Sequence, residues 1–155
     1  MTTHKISNEL YEHAYALIAI HCSMEDYRMA YTLNLRLGTK FKRLPDMDFQ
    51  DKSRSFTLYE WEDLAKDTLW HLISNTSGDT ADETKNNTLF DNENMVKINY
   101  LIPERKQTDY FLKIDGELMQ EHTTSIQHTI HRIPQVIATY TIDPNQLKSK
   151  YNLIT

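Results

Sequence analysis

The apolar positions of this chain change period along its length, and the changes mark out its elements. Ala14-Tyr15-Ala16-Leu17-Ile18-Ala19-Ile20 is apolar at odd and even positions alike. A strand with one wet face alternates, so this run predicts a central strand covered on both sides, or covered on one and dimerised on the other. Ser23 follows, with Asp26 three residues on, the spacing of a capping box with a shorter acid than the usual glutamate. Tyr27, Ala30, Leu33 and Leu37 then recur at helical steps, and Gly38 stands where a left-handed residue closes a helix. The chain opens strand, then helix.

Lys40-Phe41-Lys42-Arg43-Leu44 predicts a short strand ending at Pro45, and Asp46 to Arg54 a polar loop. Ser55 to Trp61 and Thr68 to Ile73 are rich in β-formers, with Glu62 to Asp67 between them as the loop of a wide hairpin. Asn75 to Lys97 is a long polar stretch with Leu89-Phe90 as a possible anchor, and it predicts a flexible loop. Lys97 to Leu101 can form one more short strand, and Tyr110-Phe111-Leu112-Lys113-Ile114 forms a second central one. Leu118, His122, Ile126, Ile130 and Ile133 share a helical face, Pro134 stops that helix, and Gln135 to Ile142 is strand. Asp143-Pro144 supplies a cap and first-position proline for a final turn. The order β-α-β-β-β-β-α-β predicts an α+β single domain over residues 1–155. Its expected form is a ferredoxin-like antiparallel sheet with two helices on one face, an inserted hairpin and the long loop of residues 75–97.

Composition narrows the function classes. A net charge of −5 argues against nucleic acid, whose binders gain most affinity from basic contacts to phosphate. Three glycines, Gly38, Gly78 and Gly116, cannot build a Gly-rich phosphate loop. One cysteine, Cys22, excludes an intramolecular disulfide and suits a reducing compartment. The start of the chain leads into no apolar stretch of signal-peptide type, and no run is long enough to span a membrane. A soluble cytoplasmic protein is expected, with no cofactor and no metal. His128 and His131 can share a helical face, but two histidines alone are weak grounds for zinc.

The densest chemistry lies in Ile102-Pro103-Glu104-Arg105-Lys106-Gln107-Thr108-Asp109-Tyr110. Proline fixes its own φ and extends the residue before it, so Glu104 and Asp109 are presented from a defined turn. They can hold a partner or a cation, act as an acid/base pair, or brace the turn itself. Asp109 would then cap the turn, and Glu104 would pair with Arg28, Arg105 or a backbone amide. At the other junction, His21-Cys22-Ser23 passes from strand to helix. Cys22 could be a nucleophile with His21 as its base, though neighbours on a strand point to opposite faces. The free amides at Ser23 make that junction an anion-binding candidate.

The motif resembles the signature of a bacterial, Bacteroidetes-type family: Ile-Pro-Glu, three variable residues, then Val-Asp-Tyr. Here Thr108 replaces the valine, a β-branched exchange that adds a hydroxyl. Leu17 to His21, Glu25 to Arg28, Leu72 to Asn75, Tyr110 to Ile114 and Asp143 to Asn145 are similar to segments of the same family. The resemblance implies a cytoplasmic housekeeping setting and carries over no catalytic residue.

These readings converge on a non-catalytic binding or regulatory module. Its candidate binding residues are Glu104, Asp109, Tyr110, Arg28, Ser23 and His21, its partner a protein or a small anionic ligand, and a homodimer is compatible with the fold. The alternatives are an enzyme using the His21/Cys22 junction or the Glu104/Asp109 turn, and an RNA- or ribosome-associated protein.

Overall fold

The computed structural model describes residues 15–49, 54–77, 98–117 and 119–153. The chain is α+β: a six-stranded, wholly antiparallel open sheet with two helices. The elements are β1 (Tyr15–Cys22), α1 (Asp26–Leu37), β2 (Lys42–Phe49), β3 (Arg54–Asp63), β4 (Thr68–Ser74), β5 (Tyr110–Asp115), α2 (Met119–His131) and β6 (Val136–Ile142). The spatial order is β2-β3-β4-β5-β1-β6. The two strands whose apolar residues fill both faces, β1 and β5, are neighbours inside the sheet, with Ile18 opposite Leu112.

Period two sorts their side chains into two cores. Ile18, Ile20, Leu112 and Ile114 meet Met29, Ala30 and Leu33 of α1 and Ile126, Ile130 and Ile133 of α2. Leu17, Ala19, Phe111 and Ile73 meet Leu101 and Ile102 ahead of β5, and Leu147 and Leu153 after β6. So β1 is covered on both faces by its own chain, the first of the two expected forms. Fully burying an aliphatic side chain is worth about 1.5–3 kcal/mol, which makes this double coverage the main source of order in the sheet.

Several local readings need correction. Helix α1 is not capped by Ser23: Glu25 is the N-cap residue, without a side-chain cap, and Ser23 is exposed. Asp26 serves other partners, accepting from Arg43 Nη1 at 3.0 Å and from the Tyr59 hydroxyl at 3.2 Å. The buried face of α1 is Met29, Ala30 and Leu33, while Tyr27 faces solvent. Gly38 does close the helix, at φ 70°.

Strand β2 does not stop at Pro45 but runs on to Phe49, which removes most of the loop expected there. β2 is an edge strand, and its register against β3 breaks between Leu44 and Met47. Proline's missing N–H costs no ladder bond at an edge or a bulge, so it does not end this strand. The wide hairpin of β3 and β4 forms as expected, with Trp61 opposite Trp70 and Asp67 turning at φ 51°.

Asn75 to Ser77 are not loop: Ser77 N–H donates to Asn99 O, and Thr76 bridges Tyr100. That bridge replaces the strand expected before the motif. The rest of the expected loop (residues 78–97), with Leu89-Phe90, lies outside the described residues, as does Leu118. On α2, His122 is exposed rather than part of the apolar face.

Candidate functional site

The motif folds as a single 3-10 turn, Pro103–Arg105, leading by way of Thr108 and Asp109 into β5. Within the turn Arg105 N–H donates to Ile102 O and Thr108 N–H to Arg105 O, and one buried side chain supplies partners for Ile102 N and Thr108 O. Asn75 is fully buried at the end of β4. Its Nδ2 donates to Arg105 O and to Thr108 O, both at 2.8 Å, and its Oδ1 accepts from Ile102 N at 2.8 Å. Its own backbone adds two more bonds, N–H to Asp109 O and C=O from Leu101 N. Each buried group left unpaired would cost about 1–3 kcal/mol, so Asn75 dictates the shape of the turn.

The two motif carboxylates face different partners. Asp109 reaches across to β1: its Oδ2 lies 2.7 Å from His21 Nδ1 and accepts from Cys22 N at 2.9 Å. A carboxylate can only accept, so His21 Nδ1 carries the proton and Nε2 is the nitrogen left over. Glu104 turns the other way and accepts from Ser149 N at 2.9 Å, tying the turn to the chain after β6. Asn152 Nδ2 adds a bond to Leu101 O. Slight burial works against the Glu104 carboxylate. Hydrogen bonds from its own amide, the Ser149 hydroxyl and the Ser149 and Lys148 amides outweigh that and hold its pKa below the ordinary value. Of the pairings expected for Glu104, the backbone amide is the one formed, and neither Arg28 nor Arg105 takes part.

A cleft of about 350 Å³ opens above this turn, lined by His21, Pro103, Glu104, Arg105, Lys106, Gln107, Thr108 and Tyr140. The structure thus brings His21 and Glu104 into one site, with Asp109 supporting His21. Among the described residues neither Arg105 nor Lys106 forms an ion pair. Lys106 Nζ sits 5.8 Å from the Tyr100 ring centroid. Two cations are therefore held at the cleft without a carboxylate partner, although the chain as a whole is acidic.

The remaining candidates lie elsewhere. Arg28 and Ser23 are exposed and do not line the cleft. Tyr110 is buried on the helix side of the sheet and donates its hydroxyl to Met24 O at 2.6 Å; burial, then nearby negative charge, pushes its pKa up. Cys22 also faces the helices, with its Sγ 3.9 Å from Met29 Sδ. Burial raises its pKa, and the charge of Asp109 adds to the rise. A thiol so placed is a poor nucleophile and makes no pair with His21, which is bound to Asp109 instead. Among the described residues no group of three or more His, Cys, Asp or Glu could hold a metal ion.

Sequence reasoning missed Asn75, Tyr140 and Ser149. Asn75 stood at the end of a strand-like segment, where a polar residue reads as the start of a loop. The detectable signal was its place directly after Leu72-Ile73-Ser74, in a run otherwise bound for the core. Comparison with known proteins finds no match, whether among family models, curated sequences or solved structures.

Proposed function

We propose that this chain is a non-catalytic binding module that takes a small anionic ligand in the cleft over the Ile102–Asp109 turn. The observation that carries the reading is the pairing of an internally satisfied turn with unpaired cations: Asn75 fixes the backbone, and Arg105 and Lys106 project from it beside His21. A site held in shape before its ligand arrives loses less entropy on binding. The domain is read as ferredoxin-like. The strand order β6-β1-β5-β4 supports that, with the β2–β3 ribbon inserted after α1. A second reading, general-base catalysis by His21, is favoured by its contact with Asp109, the arrangement that frees Nε2 for proton transfer. It lacks an adjacent nucleophile, since Cys22 is turned into the core.

The test is a panel of small anions followed by amide chemical shifts. Perturbations should cluster at His21, residues 103–108 and Tyr140, and should vanish in the Arg105→Ala, Lys106→Ala double variant. Shifts spread over the whole surface, or unchanged by the double substitution, would sink the proposal.

A further inference from the structure

The donors around the cleft differ in kind, and the difference narrows the ligand. Resting on the anion-binding reading above, we infer that the cleft takes the phosphate group of a small soluble phosphate monoester, with His21 binding as its imidazolium.

His21 lines the cleft and is not free to rotate, because Nδ1 is fixed to Asp109 Oδ2 at 2.7 Å and that oxygen is itself held by Cys22 N. A ring pinned in this way offers Nε2 in one direction. The charged and titratable groups around it come from three elements. Asp109, directly ahead of β5, holds Nδ1. Arg105 and Lys106 lie on the turn. Tyr140 of β6 also lines the cleft, more than half exposed. Glu104 is the remaining carboxylate in the cleft, and it is engaged by Ser149. Cys22 and Tyr110 are on the far side of the sheet, in the helix-facing core.

An incoming dianion cancels the repulsion from Arg105 and Lys106 and leaves the attraction of Asp109, so the ring gains a proton as the ligand binds. A phosphate monoester suits this arrangement. Its second pKa is about 6, so near neutral pH it arrives as a dianion. It also offers three oxygens to the Nε2, guanidinium and ammonium donors, where a carboxylate offers two and a single charge.

Calorimetric titration with phenyl phosphate, in buffers of differing ionisation enthalpy, tests the inference. Proton uptake on binding is expected, with affinity falling as pH rises. Acetate, with one charge and two oxygens, should bind at least tenfold more weakly at the same pH. His21→Gln keeps a donor but cannot take a proton, so its binding should be weaker and lose the slope. The wild-type His21 ring resonance, moving toward the imidazolium position on addition of phenyl phosphate, gives a readout independent of that variant's folding. Binding without proton uptake, or with equal affinity for acetate, overturns this inference and leaves the anion site standing. No binding of any anion overturns both.

Discussion

The turn from Ile102 to Asp109 and the start of α1 from Ser23 to Asp26 meet at the same end of β1, joined through Asp109 and the Tyr110–Met24 bond. Both are short polar stretches that read as self-contained caps. In the structure they differ in where their backbone groups find partners. The turn is satisfied by a side chain about thirty residues away, Asn75, which reaches three of its groups from a fully buried position. The helix start has no side-chain cap at all, and its acid, Asp26, is drawn off by Arg43 and Tyr59. Internal satisfaction leaves the turn's outward side chains free for a ligand. The helix start has no such clamp on its backbone: Glu25 gives no side-chain cap, and what holds it is Tyr110 at Met24 O and Arg43 and Tyr59 at Asp26.

That contrast can be broken most severely at Asn75. Asn75→Ala should leave Ile102 N and Thr108 O unpaired and cost about 2–5 kcal/mol, read as a fall in the denaturation midpoint at constant slope. The cleft should lose its anion binding together with its shape.

A smaller effect is expected at Glu104. Its folded pKa is depressed, so its contribution is present above the ordinary glutamate value of 4.5 and is lost as pH falls through the lower folded value. Glu104→Gln should therefore be slightly less stable than wild type at neutral pH, with the difference closing at acid pH. Amide exchange at Ser149 should speed up in that variant. Equal stability at every pH would mean that the tail is not held by this carboxylate.

The least change is expected at Ser23. Because it caps nothing, Ser23→Ala should shift stability by no more than about 0.5 kcal/mol, the usual range for an exposed site away from any special feature. A loss near 1 kcal/mol, typical of a removed N-cap, would show that the helix start is ordered by its own side chains and would erase the contrast.

How much of this was readable from sequence followed from the range of the physics involved. The double-faced apolar run of β1, the Gly38 stop and the apolar repeat of Ile126, Ile130 and Ile133 are local periodicities, and each produced its element. Pro45 misled because it stops a central strand but not an edge strand, and edge status is a property of the whole sheet. Ser23 and Asp26 misled because a capping box competes with any partner that arrives from elsewhere, here Arg43 and Tyr59.

The site divides along the same line. That residues 102–110 form a turn follows from proline geometry, but Asp109 does not cap it: its carboxylate goes to His21 and Cys22 on β1. The partnership of Asp109 with His21, the Asn75 clamp and the cleft wall at Tyr140 depend on strand order. Antiparallel pairing sets β5 beside β1, and β6 on the far side of β1. By itself, then, the sequence determined most of the elements, the two-faced character of β1 and β5 and the presence of the motif's turn, because those rest on local periodicity and proline geometry. Only the tertiary structure decided which polar groups meet across the sheet, and with them the cleft, because such meetings are set by register between distant strands.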